Sequence, residues 1–304
     1  SRVSRDSGSM KILITGSSGM LGQELCGVLS KSGAELSGMD IREPGTRYPS
    51  LDKFYEADIS DAGRVRKALE TERPDVVIHA AAWTDVDGCE LDKDRARRIN
   101  IEGTINVASV SGAIGTKLVF ISTDFVFDGR KNFPYKETDE LGPLGEYART
   151  KVLGEETVKK QAGDFAIVRT SWLFGPGGKN FVDTIISKSS AEKSLKVVND
   201  QVGSPTYTKD LALALKELIA KGVNGREIYH VCNSGQCSWY EFAVKIKSFV
   251  PQMADTKIVP VSSDSLGRPA ARPAFSVMDT GKFTAYTGME LRKWEEALRE
   301  YISR

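Results

Sequence analysis

With 304 residues, 40% of them hydrophobic and 27% charged, the chain has the composition of an ordinary globular protein, long enough for one large α/β domain or a cofactor domain with a smaller companion. Its 42 Lys and Arg nearly balance its 41 Asp and Glu, so there is no basic field for nucleic acid or an anionic membrane, and any anionic ligand has to be gripped locally. Four cysteines (Cys26, Cys89, Cys232, Cys237) without a Cys-x-x-Cys pair read as free thiols. The two histidines, His79 and His230, lie far apart in apolar runs and suit strands better than a metal site, and no long apolar run or signal pattern occurs, so the expectation is a cytoplasmic protein with no membrane span and no bound metal.

Residues 1–9 are polar and patternless and read as a cloning remnant ahead of Met10. From there to about Ser171, short β-branched runs at 11–15, 35–40, 76–80, 117–122 and 165–171 alternate with helical stretches, which predicts a parallel sheet. Runs such as Ile12, Leu13, Ile14 and Val76, Val77, Ile78 are continuously apolar, as strands are when helices cover both faces. The fold class expected is therefore α/β, with a Rossmann-type doubly wound sheet over residues 10–171. Beyond Trp172 the rhythm changes to glycine-rich loops at 174–178 and 200–206, separated by helices near 179–190 and 208–221. Residues 172–304 thus read mainly as a smaller substrate-binding region, with the run at 228–232 returning to the main sheet.

The first strand runs into Gly16, Gly19, Met20, Leu21 and Gly22, which open an apolar-periodic helix. Glycines there permit a tight turn and close approach of backbone N–H groups to a pyrophosphate, and a helix N-terminus favours negative charge, so this is a dinucleotide-binding turn. Asp40, ending the second strand, can accept the hydroxyls of an adenosine ribose and favours NADH. Arg42 can instead pair with a 2′-phosphate, which keeps NADPH open, or it is a solvated loop residue. Asp58, next to Ile59, either faces the adenine or caps the helix from Ala62, while Ala80, Ala81 and Ala82 offer small side chains where a nucleotide lies against backbone.

Tyr147 and Lys151 stand four apart at the start of a helix, so their Cβ atoms lie about 5–6 Å apart on one face. A free tyrosine, with a pKa near ~10, is a poor proton donor, and a neighbouring ammonium that stabilises its phenolate is expected to depress that value. Tyr147 then protonates a carbonyl oxygen held by Thr123 as hydride reaches the carbon, and Lys151 also anchors the nicotinamide ribose. Asn100, on the preceding helix, either supports a water or backbone carbonyl near Lys151 or is an ordinary polar helix residue.

Taken with the segments at 80–90, 122–129, 147–155, 169–172, 200–206, 238–240 and 272–273, these residues resemble the extended short-chain dehydrogenase/reductases, and within them the branch that reduces the 4-keto group of dTDP-4-dehydro-L-rhamnose. The resemblance runs from Met10 to near the C-terminus. It implies an NAD(P)H-dependent oxidoreductase making dTDP-L-rhamnose, with Thr123, Tyr147 and Lys151 catalytic and Val86, Asp87, Thr123, Asp124 and Trp172 bordering the sugar. Trp172 would stack on the deoxyhexose or else seal the junction of the two regions. Arg272 is the candidate for the diphosphate, or the partner in a structural salt bridge. Trp83 and Phe125 depart from the branch, which usually has histidine and tyrosine there. A homodimer, a non-catalytic regulatory subunit like the methionine adenosyltransferase β subunit, and a related nucleotide-sugar ketoreductase or epimerase all stay open.

Overall fold

The computed structural model describes residues 9–45 and 51–304, so all of the expected cloning remnant except Ser9 lies outside the described residues. The first half alternates as the apolar runs predict: β1 (Lys11–Thr15), α1 (Met20–Leu29), β2 (Glu35–Asp40), β3 (Lys53–Glu56), α2 (Ala62–Glu72) and β4 (Val76–His79). Then come α3 (Val86–Leu91), α4 (Lys93–Arg97), α5 (Gly103–Ile114), β5 (Lys117–Thr123), α6 (Glu146–Gln161) and β6 (Phe165–Thr170). Shorter elements follow: β7 (Leu173–Phe174), α7 (Phe181–Ala191), β8 (Ser194–Val198), β9 (Val202–Gly203) and β10 (Thr206–Tyr207). The chain ends with α8 (Thr208–Lys221), β11 (Arg226–His230), β12 (Cys237–Ser238), α9 (Trp239–Phe249), β13 (Lys257–Val261), α10 (Gly281–Thr287) and α11 (Trp294–Ile302).

Among the described residues, seven strands pair in parallel in the order β11-β6-β5-β4-β1-β2-β3, a doubly wound Rossmann sheet. Strand order reverses between β1 and β4, and a ligand crevice opens at such a switch point beyond the carboxyl ends of the strands. One sheet face packs Ile12, Ile14 and Val168 under Leu25 and Leu29 of α1 and Leu211 and Leu215 of α8. On the other, Leu13, Val77 and Ile167 lie under Val65, Val107 and Val158 of α2, α5 and α6. Both α8 and β11 follow Trp172 in the chain yet belong to this sheet layer.

A separate cluster joins Phe174, Ile185, Tyr207, Phe242, Trp294 and Leu298, and it holds the short strands and α7, α9 and α11 together. Local signals set its helices. Asn180 caps α7, accepting from Asp183 N at 3.0 Å, and Ser238 with Glu241 forms a capping box at α9. No helix among the described residues is long and apolar enough to cross a membrane.

Candidate active site

The crevice is built from the glycine turn upward. Gly16 has φ 71°, and a Cβ there would sit 2.8 Å from the Ala81 backbone. A Cβ at Gly22 would sit 2.0 Å from the Gly16 carbonyl oxygen, so the turn and α1 close on each other only as glycines. No side chain caps α1, which leaves its first N–H groups for the crevice. Asp40 steadies the turn: its Oδ2 accepts from Ser18 N at 3.0 Å and its Oδ1 from Arg42 N at 3.2 Å, while Ser18 Oγ donates to the Arg42 carbonyl at 2.7 Å.

Two adjoining cavities share Gly16, Gly19, Ala80 and Ala82. The outer one, about 260 Å³, collects Asp40, Arg42, Asp58, Ile59, Ala81 and Trp83. Asp58 accepts from Ser60 N and Oγ at 2.9 and 2.8 Å, so its carboxylate closes the turn after β3. The cap of α2 is Asp61, accepting from Arg64 N at 3.0 Å, which corrects the reading of Asp58 as that cap. Asn100, 2% exposed, clamps Trp83 through its backbone N and O at 2.8 and 3.1 Å and donates to Thr150 Oγ1 at 3.0 Å. Arg95 lies 4.3 Å from the Trp83 ring centre, so the aromatic that departs from the branch is held on two sides.

The inner cavity, about 460 Å³, brings Met20, Leu21 and Gly22 together with Val86, Thr123, Asp124, Tyr147, Lys151, Trp172 and Arg272. Thr123 ends β5, and Tyr147 and Lys151 sit in the first turns of α6, so two regular elements aim all three at one space. Lys151 is 4% exposed, its Nζ donating to the Ile121 carbonyl at 2.7 Å above the Phe120 ring. Burial pulls its ammonium down to about 8, against a Glu155 charge that raises it.

Here one expectation is corrected. The Tyr147 hydroxyl is held above its ordinary range, by burial first and the Asp124 charge next, with a Thr123 hydrogen bond pulling the other way. The Lys151 ammonium is turned to the Ile121 carbonyl, and desolvation of the phenolate outweighs the help expected from a cation. Asp124, 2% exposed, is itself raised to about 7 by burial although Ser276 and Thr123 both donate to it.

Side chains from the second half close the cavity in pairs. Trp172 adopts φ 47°, a left-handed backbone rare for an aromatic, and its indole stacks on Trp239 with centroids 3.5 Å apart. Gly203 is needed beside it, since a Cβ there would meet the ring at 2.5 Å. One Trp172 face is therefore covered by protein, and the tryptophan pair borders the cavity in place of a lone stacking platform. Arg272 grips Asp87 with both amino groups, at 3.0 and 2.9 Å, and also donates to the Ala270 carbonyl. The salt-bridge alternative describes this arrangement: Arg272 lines the cavity, whereas its partner Asp87 does not.

Among the lining residues that carried no assignment from sequence are Trp239, Thr170, Lys179 and Arg268. Trp239 and Thr170 fall within segments that carried the resemblance, whereas Arg268 and Lys179 lie in loops with no pattern. Thr170 is 4% exposed and its hydroxyl has no hydrogen-bond partner among the described residues. Arg268 has its basicity lowered by burial and by Arg272.

A family model described as RmlD substrate binding domain matches residues 10–304. The chain is 41% identical to the spore coat polysaccharide biosynthesis protein SpsK of Bacillus subtilis, over 96% of each chain. It is 40% identical to the dTDP-4-dehydrorhamnose reductase of Streptomyces griseus, over 95% of this chain and 91% of that one. The crystal structure of dTDP-4-dehydrorhamnose reductase from Bacillus anthracis, in complex with NADP, superimposes with a TM-score of 0.87 at 36% identity, over 97% of this chain and 99% of that one.

Proposed function

The chain belongs to the family described as RmlD substrate binding domain, and from that premise we propose that it is an NAD(P)H-dependent oxidoreductase that reduces the 4-keto group of dTDP-4-dehydro-L-rhamnose to give dTDP-L-rhamnose. The observation that carries the reading is one cavity holding Thr123, Tyr147 and Lys151 at the uncapped N-terminus of a glycine-turn helix. The Streptomyces griseus relative bears that reductase's name, and the Bacillus subtilis relative, named for polysaccharide synthesis, is in keeping with a sugar-donor product.

The residues present fit a dinucleotide. A Cβ at Gly19 would meet nothing nearer than the Gly16 carbonyl at 3.2 Å, the first N–H groups of α1 lack a side-chain cap, and the buried Thr170 hydroxyl is unpartnered. Gly16, Gly19, Met20, Leu21 and Gly22 would hold the pyrophosphate, Asp40 and Arg42 the adenosine ribose, and Asp58, Ile59 and Ala80–Ala82 the base and its backbone bed. NADPH or NADH bound there supplies the hydride.

Tyr147, kept protonated by its surroundings, holds the proton that passes to the C4 oxygen, and the Thr123 hydroxyl fixes that oxygen. Lys151 places an ammonium beside them, anchoring the nicotinamide ribose and favouring the phenolate left behind. Residues 172–304 act mainly as the substrate-binding region, apart from β11, which belongs to the sheet, and α8, which packs on it. Val86, Asp124 and the tryptophan pair border the sugar, and Asp87 sets Arg272. The reading carries with it a cytoplasmic location, where nucleotide sugars and reduced nicotinamides meet.

The test is product identity. Purified protein with dTDP-4-dehydro-L-rhamnose and NADPH should yield dTDP-L-rhamnose by NMR. The C4 epimer, or no reduction with either cofactor, would overturn the assignment.

A further inference from the structure

The most deeply buried charges among the described residues do not line the cavity and take no part in the chemistry above. Glu155 and Arg169 are 0% and 1% exposed, with Arg169 Nε 2.8 Å from one carboxylate oxygen and an amino group 2.7 Å from the other. Ser122 Oγ donates to the first of these oxygens at 2.7 Å. The guanidinium lies 5.2 Å from the Phe127 ring centre, and its other amino group is 3.4 Å from His230 Nε2. Burying an ion pair this deeply costs hydration that the attraction returns only with complete hydrogen bonding, so stability alone is a weak reason for it.

Its placement is specific. Glu155 lies one turn beyond Lys151 and two beyond Tyr147 on α6, Ser122 precedes Thr123 on β5, and Arg169 precedes Thr170 on β6. One carboxylate thus joins the helix of the proton donor to both strand ends that face it. Among the described residues, the other ionisable groups toward Lys151 include Tyr147 on its own helix, Cys89 from α3, His79 from β4, Asp124 after β5 and Arg169 from β6. His79 is kept neutral by burial, pulled down to about 3. α5 carries no ionisable residue, and the charged residues of α4 are exposed.

We propose that Glu155, held by Arg169, is a positioning residue of the ketoreduction: it locks the catalytic helix to β5 and β6 and supplies the negative charge that keeps Lys151 an ammonium inside a buried site. The inference rests on the ketoreductase reading above. Burial lowers Lys151 and Glu155 opposes that fall, so removing the carboxylate moves loss of the ammonium toward acid.

Glu155→Gln alone strands a buried guanidinium, so the decisive variant is Glu155→Gln with Arg169→Met. It is read in two ways: kcat against pH with NADPH and dTDP-4-dehydro-L-rhamnose, and the ε-carbon shift of labelled lysine by NMR. The alkaline limb and the Lys151 titration should both move acidward by up to about one pH unit, since the carboxylate one turn from Lys151 on the same helix acts more strongly than the guanidinium lost with it. Glu155→Asp, which keeps the charge but shortens its reach, should lower kcat with the limb at its parental pH. A folded double variant with parental limb and parental lysine titration overturns the proposal and leaves the reductase reading standing. A parent protein that does not reduce the ketosugar removes that reading instead, and the lysine titration still decides whether Glu155 sets the Lys151 charge. Should the double variant not fold, Ser122→Ala carries the test: kcat should fall about tenfold at unchanged cofactor KM, and parental kcat overturns the proposal.

Discussion

The two halves of this chain build their shares of the crevice differently. Up to β6, site residues sit at the carboxyl end of a strand or in the first turns of a helix, as Thr123, Tyr147 and Gly19 do, and their direction follows from the element that carries them. After β6, the side chains at the cavity or bonded to its lining meet partners far away in sequence: Trp172 with Trp239, Arg272 with Asp87, Ser276 with Asp124. In the first half a role can be read from position, whereas in the second it depends on what the side chain meets.

That contrast is open to test, beginning where the effect should be largest. Tyr147→Phe removes the proposed proton donor from a position fixed by a helix, so turnover should fall about 10²–10⁴-fold with cofactor affinity, followed by fluorescence titration, nearly intact. Turnover at the parental rate would remove Tyr147 from the chemistry.

Arg272→Met breaks a loop contact instead, and the nucleotide-sugar KM should rise about tenfold, the worth of one charge-assisted contact, at unchanged cofactor KM. Asp87→Asn sharpens the point. If the pair's main task is to hold the loop, KM rises here also; if it falls, Arg272 freed from Asp87 grips the substrate directly.

A smaller, pH-dependent effect belongs to Asp124. Its folded value, raised to about 7 by burial, lies above that of an unfolded aspartate near ~4, so its contribution to stability is present at low pH and is lost as pH rises through about 7. Urea unfolding at about pH 5 and about pH 8 should show Asp124→Asn losing less stability across that interval than the parent. Equal losses would place the titration elsewhere.

The smallest effect is expected at Arg42, an exposed residue at the rim of the outer cavity. Arg42→Ala should weaken NADPH severalfold and leave NADH nearly untouched, with KM for both cofactors as the measurement.

What was legible in the sequence follows the same division. The runs at β1 and β4, the Gly16 turn and the Tyr147–Lys151 spacing are local patterns, and each stands in the structure where the pattern puts it. The direction in which Tyr147 shifts was not legible, because it depends on how far burial and Asp124 outweigh Thr123, and those surroundings assemble from separate elements. Nor was Trp239 as the cover of Trp172, since the two positions lie 67 apart in the chain. Glu155 fell inside a recognised segment, yet only the fold reveals that Arg169 and Ser122 converge on it.

The central claim is that both halves act on one substrate, with the remote nucleotide helping to place the reacting carbon between Tyr147 and the cofactor. Steady-state kcat/KM for dTDP-4-dehydro-L-rhamnose against free 4-keto-6-deoxyhexose tests it most directly. Losing the diphosphate's charge-assisted contacts, at about 1.5–3 kcal/mol each, should lower kcat/KM for the free sugar by at least ~10²-fold. Comparable values for the two compounds would contradict the account and leave a general carbonyl reductase in its place.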